Sequence, residues 1–177
     1  MNRIPLLVAA LIGLVSAQEA IRLAVPFVKQ TREGCGSAAI AMVVEYWRDQ
    51  LPKAAIQPTD VRRIQERLHT PEAKGIYGSD MESFFRESGF HAFRFKAEKR
   101  DLLEHLSRGR PIIVCLQPER RAPLHYVVVA GFDPVQNTFL LNDPARGKLL
   151  REESDGFLKL WRGTENWAML AVPKGLN

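Results

Sequence analysis

Cys35 stands between Gly34 and Gly36 where the run V-P-F-V-K-Q-T-R-E-G-C-G-S-A-A-I-A-M-V-V-E-Y-W turns strongly helix-forming, and Gln30 precedes it by five residues. A thiol at a helix start meets unpaired N–H donors and the positive end of the helix dipole. Both favour thiolate over thiol and lower the thiol pKa. The flanking glycines permit a sharp turn and the close approach of a substrate carbonyl to the main chain. The Gln30 amide could then donate to the oxyanion formed when the thiolate attacks. The same cysteine would also suit a core, because buried thiols behave as small hydrophobes. Partners elsewhere in the chain must decide between the two.

His125 opens the apolar run H-Y-V-V-V-A-G-F-D, and Asp143 follows a second apolar run in L-N-D-P. A histidine starting a buried strand needs a hydrogen-bond partner. In an antiparallel hairpin the start of one strand lies beside the end of its neighbour, which brings His125 and Asp143 to one rim. If Cys35 reaches that rim, the set is a thiol, a base to deprotonate it and a carboxylate to fix the base's tautomer. Asp143 would also raise the pKa of His125 and favour a thiolate–imidazolium pair. Without Cys35, His125 and Asp143 would be a satisfied structural pair. His69, His91 and His105 read as surface residues. A zinc site built from Cys35, Cys115, His125 and Asp143 lacks the paired close spacing that such sites carry, so neither a metal nor a cofactor is expected.

The elements that must position these residues follow from pattern. A short approach segment, Ala20 to Val25, is closed by Pro26. From Cys35 to about Asp49 the helix is apolar on most sides, as in one buried at the centre of a domain. A more exposed helix runs from Gln57 to about Leu68, its arginines on a solvated face. Ser79 and Glu82 have the spacing of a capping box at the start of a helix that stops at Gly89. Phe90 to Phe95 alternates as a strand does, and Leu102, Leu103 and Leu106 mark a helix ended by Gly109. From Pro111 the character is β: Pro111 to Leu116, His125 to Gly131 and Thr138 to Leu141, then a short helix around Phe157 to Trp161 and a strand from Trp167 to Val172. A helical first half packed on an antiparallel second half is α+β in one domain.

At 177 residues, with 46% apolar and 25% charged residues, the chain is an ordinary globular length and composition, and disorder is not expected. The formal charge of +5 is spread over short clusters, which does not make a nucleic-acid binder. Residues 1–17 read as a secretory signal: Arg3, an apolar run from Ile4 to Val15, then Val15-Ser16-Ala17 for cleavage before Gln18. That run is short of the roughly 20 residues a membrane span needs, so no stable insertion is expected after cleavage, although an uncleaved anchor is the alternative. The domain is then 18–177, exported to the periplasm or the extracellular space. An oxidising compartment would permit a Cys35–Cys115 disulfide. Cys115, in the apolar run P-I-I-V-C-L, reads instead as a buried core thiol without a function.

The stretches V-P-F-V-K-Q-T-R-E-G-C-G-S-A-A, G-S-D-M-E-S-F-F-R-E-S-G-F, G-R-P-I-I-V, H-Y-V-V-V-A-G-F-D, N-D-P-A-R-G and F-L-K-L-W-R-G together resemble the C39-like peptidases. These are cysteine peptidases of papain-like fold that include the processing domain of bacteriocin-exporting ABC transporters. The resemblance covers most of the chain after the signal. It implies Cys35 as nucleophile, His125 as general base and acid, Asp143 as the residue orienting it, and Gln30 as oxyanion donor, acting on a peptide or protein substrate. The sequence reads as one domain with its own export signal, without membrane or ATP-binding domains, so double-glycine leader cleavage is not assumed. Two alternatives stay open: acyl transfer to an amine from the same acyl-enzyme, and a non-catalytic peptide-binding module on the same fold. Arg120 and Arg121, just before His125, could favour acidic substrates or be solvated.

Overall fold

Every residue of Ile112–Leu116 is buried, which a strand with one wet face would not require. The cause is a sheet covered by helices on both sides. The computed structural model describes residues 19–51, 54, 56–118 and 123–176. The chain runs β1 (Ile21–Arg22), α1 (Cys35–Gln50), α2 (Val61–Leu68), α3 (Gly78–Glu87), β2 (Phe90–Lys96), α4 (Lys99–Ser107), β3 (Ile112–Leu116), β4 (His125–Asp133), β5 (Thr138–Asp143), β6 (Gly147–Glu153), α5 (Ser154–Arg162) and β7 (Trp167–Pro173). All pairings are antiparallel, in the order β2-β7-β3-β4-β5-β6, with β1 on β4 off that path.

Neighbouring residues of a strand point to opposite faces, and each face has its own core. Ile113, Val128, Ala130, Met169 and Ala171 pack with Ile40, Met42 and Phe85 on the side of α1 and α3. Ile112, Val114, Val127, Val129 and Leu170 pack with Leu102, Leu106, Phe157 and Trp161 on the side of α4 and α5. The α1 sequence Ala38-Ala39-Ile40-Ala41-Met42-Val43-Val44 is buried throughout, because the helix lies between the sheet and the smaller helices α2 and α3. Where β1 pairs with β4 the main chains nearly touch. A Cβ on Gly131 would stand 2.2 Å from the Ile21 carbonyl oxygen, so only glycine fits.

The α+β class is the one the sequence indicates, with differences of detail. β2, from the helical first half, joins the sheet beside β7. β6 has no counterpart in the sequence reading: G-K-L-L-R-E-E is an edge strand with much of its surface wet, so it carries no apolar alternation. The expected capping box at Ser79 and Glu82 does not form. Helix α3 starts two residues earlier, after Tyr77 and without a side-chain cap, and Glu82 pairs instead with Arg86 at 2.6 Å and Arg94 at 3.4 Å. A reach-back carboxylate is found at α4, where Asp101 Oδ2 accepts from the Glu98 N–H at 2.7 Å. The signal segment, Gln18, Arg120 and Arg121 lie outside the described residues. No helix among the described residues is long and apolar enough to cross a membrane.

One buried polar side chain ties three segments together. Asn142, fully buried on β5, donates from Nδ2 to the carbonyls of Val25 at 3.1 Å and Pro26 at 3.4 Å. Its Oδ1 accepts from the Leu149 N–H at 2.9 Å. Replacing it orphans all of these backbone groups. Asn142→Ala is expected to lower the unfolding free energy by about 2 to 4 kcal/mol, measured as a reduced urea midpoint with an unchanged slope; a midpoint equal to the wild type would contradict this role.

Candidate active site

His125 is the first residue of β4 and Asp143 the last of β5. The register of that hairpin, with Val128 opposite Asn142, lays the two ends side by side. His125 Nε2 and Asp143 Oδ1 are 2.7 Å apart. The same carboxylate accepts from the Ala145 N–H at 2.9 Å, and Arg146 stands 4.0 Å from its second oxygen. Burial works against the charged carboxylate. The hydrogen bond and charge of His125, the Ala145 N–H and the charge of Arg146 outweigh it and hold Asp143 below the usual carboxylate range.

Cys35 reaches this rim from the other direction, as the first residue of α1. The residue is 9% exposed. The first N–H groups of the helix have no intrahelical acceptor and point towards whatever occupies its mouth. With Nε2 of His125 engaged by Asp143, Cys35 is the second side chain that favours the charged imidazole. Burial alone would lower the His125 pKa. Asp143, by its hydrogen bond and charge, and Cys35 beside it overcome that and push it up to about 9. Cys115 is also a free, buried thiol, and burial pushes it up to about 12. It is not sealed in the core, however, because it lines a cavity that Cys35 also lines.

Gln30 sits at the same rim. With Glu33, Cys35, His125 and Asp143 it lines a second cavity, of about 530 Å³. Its main-chain N–H donates to the Pro144 carbonyl at 3.0 Å, next to Asp143. The side-chain Oε1 is buried without a hydrogen-bond partner among the described residues. The four residues that sequence reasoning singled out, Gln30, Cys35, His125 and Asp143, thus meet at one place.

What holds the Gln30–Gly34 loop was not anticipated. Thr31 Oγ1 donates to Gln65 Oε1, and Gln65 Nε2 donates to the Arg32 carbonyl at 2.8 Å. His69, just past the end of α2, meets Glu33 Oε2 at 3.0 Å. The left-handed residue of the turn is Glu33, with φ 56°, and not a glycine. Gly34 is needed for a different reason: a Cβ there would stand 2.7 Å from Thr31 Oγ1 and 2.8 Å from Gln65 Oε1. His69 and His105 are therefore not the surface residues they resemble. His105 is half-buried, its Nδ1 lacks a hydrogen-bond partner among the described residues, and burial lowers its pKa. His91 is exposed. Among the described residues no group of three or more His, Cys, Asp or Glu could hold a metal ion.

A family model described as "Peptidase_C39 like family" matches residues 22–169. No curated protein matches the chain. Among solved structures, the fold is shared with the peptidase domain of Streptococcus ComA, described as a bifunctional ABC transporter involved in quorum sensing. That match has a TM-score of 0.66 and 22% identity, over 87% of this chain and 99% of that one. A double-glycine-motif protease from an AMS/PCAT transporter, in complex with a leader peptide, matches with a TM-score of 0.66 and 20% identity, over 89% and 99%. A protein described as a C39-like peptidase of Bacillus anthracis matches with a TM-score of 0.69 and 15% identity, over 89% and 99%.

Gln65 and His69 act through the loop, so they are positioning residues. Gln65→Ala and His69→Ala are each expected to lower kcat of peptide hydrolysis roughly ten- to a hundredfold while KM changes little. His69→Gln, which can still hydrogen-bond Glu33, should recover most of the loss. An unchanged kcat in both alanine variants would show that the clamp does not matter to the site.

Proposed function

Since the chain belongs to the C39-like family of cysteine peptidases, we propose that it hydrolyses peptide bonds through Cys35, His125, Asp143 and Gln30. The observation that carries this reading is the convergence of a helix-start thiol, an imidazole and a carboxylate on one rim, with His125 and Asp143 2.7 Å apart. Cys35 Sγ attacks the peptide carbonyl as the thiolate, its proton having passed to His125. The Gln30 amide and the Cys35 N–H donate to the oxyanion. The C–N bond then breaks, and His125 gives its proton to the leaving amine. Water, deprotonated by His125, attacks the thioester and releases the acid and the thiol. Asp143 keeps the imidazole oriented and stabilises its charged form throughout.

We further propose that the protein acts after export. Arg3, the apolar run after it and Val15-Ser16-Ala17 support a cleaved signal. The peptide complex of the double-glycine-motif protease supports a peptide as substrate here. The mature protein recovered from its own host is then expected to begin at Gln18 and to fractionate outside the cytoplasm; a retained Met1 in a cytoplasmic fraction would refute export without touching the chemistry.

Cys35→Ala is expected to abolish hydrolysis, by at least about a thousandfold, and Gln30→Ala to lower kcat by about a hundredfold or more. Donation to the leaving amine needs the imidazolium, which is present below the raised pKa and lost above it. The alkaline limb of kcat/KM should therefore fall near pH 9 and move to lower pH in Asp143→Asn. A limb that stays in place in that variant would count against Asp143 as the partner of His125. An added amine that captures the acyl group in preference to water would assign the protein to acyl transfer.

A further inference from the structure

In β3 and β4 the pairs Leu116–His125 and Cys115–Tyr126 are adjacent rungs, so their side chains point to opposite faces of the sheet. Each rung feeds a different cavity. Leu116 and His125 line the one of about 530 Å³ that also holds Gln30 and Asp143. Cys115 and Tyr126 line another of about 470 Å³. Cys35 belongs to both, as do Lys74 and Leu124, so the nucleophile stands on the divide between them.

The chemistry assigns the two sides. The leaving amine must take its proton from His125, so the leaving half of a substrate lies over the His125 cavity. The acyl half, joined to Cys35 Sγ, then lies over the other. That chamber is walled by Ile76, Tyr77, Tyr126 and Trp167, with Leu124 at its mouth. Tyr126 is anchored by its hydroxyl, which donates to the Ile76 carbonyl at 3.2 Å, and its ring packs on Trp167 with centroids 5.3 Å apart. The wall is thus fixed before a ligand arrives. Its charged members, Lys74 and Glu165, are exposed, so neither presents a buried counter-charge. Tyr77 and Leu124 are 47% and 55% exposed, leaving uncovered apolar surface at the entrance.

On the premise that the protein is a thiol peptidase, we propose that this chamber is its specificity subsite. It takes a large apolar side chain, aromatic by preference, from one of the two residues preceding the scissile bond. Glycine at both positions, as in the double-glycine motif named for one structural relative, would leave the apolar walls wet.

The test uses the full chain and internally quenched peptides that differ only in those two residues: Gly-Gly, Phe-Gly, Gly-Phe and Asp-Gly. One of the two Phe peptides is expected to exceed Gly-Gly in kcat/KM by about tenfold or more, with the cleaved bond identified by mass spectrometry. The same peptide should bind the Cys35→Ala protein about tenfold more tightly than Gly-Gly, followed by tryptophan fluorescence. Tyr77→Ala, at an exposed position that lines this chamber and not the His125 cavity, and Cys115→Phe, which fills the chamber, should each pull the Phe to Gly-Gly ratio towards one. Equal handling of Gly-Gly and Phe peptides, or a preference that neither variant moves, overturns the subsite while leaving the peptidase reading intact. Selective Phe binding without cleavage of any peptide overturns the peptidase reading and leaves the subsite standing. Neither cleavage nor selectivity overturns both.

Discussion

The site depends on one packing interaction, the burial of α1 against the face of the sheet. Cys35 and His125 are far apart in the chain, and the segments between them belong to other elements. They meet because the apolar body of α1, from Ala38 to Val44, is buried against β3, β4 and β7. A helix held by that much apolar surface has one axial position and one rotation, since cores are close-packed and tolerate little sliding. Its first residue is then delivered to the rim where β4 begins and β5 ends. Non-directional burial of apolar surface thereby sets the place of the thiol, and directional hydrogen bonds refine it.

The electrostatics of the rim follow from the geometry. Burial alone would keep His125 neutral and Asp143 protonated. Each is kept charged by the other, with Ala145 and Arg146 supporting the carboxylate and Cys35 supporting the imidazole. The His125 pKa is raised, so its charged contacts contribute stability fully below the unfolded value of about 6.5. That contribution is lost as the pH rises through about 9. The Gln30–Gly34 loop is fastened by main chain to Pro144 and by side chains to α2. On the proposed reading the Gln30 amide meets the oxyanion, and it is worth most there if it does not have to be ordered during the reaction.

Cys35, His125 and Asp143 were legible in the sequence because each sits at the end of an element whose body is plainly apolar. A polar residue ending an apolar run is conspicuous, and antiparallel pairing then predicts which ends meet. Gln65 and His69 were not legible. They lie on or just beyond a short, charged helix that looks solvated, and their partners are more than thirty residues earlier in a loop with no periodicity. The strand β6 was missed for a related reason, since an edge strand with charged residues lacks the alternation that marks a buried one. The continuous burial of Ile112–Leu116 could have signalled helices on both faces, but a short apolar run does not say what covers it. The chamber beside Cys35 is built from Ile76, Tyr126 and Trp167, which come from three separate regions of the chain. Only the fold brings them together.

The chemistry of the rim turns on His125 being held in its charged form by Asp143 and Cys35. The most direct measurement is an NMR titration of the His125 ring in the folded protein, resolved by comparison with His125→Ala. The predicted midpoint is about 9, falling in Cys35→Ala as one of its two supporting partners is removed. A midpoint at or below the ordinary histidine value of about 6.5, unmoved by that substitution, would mean that thiol and imidazole are not coupled, and the account of the site would fail.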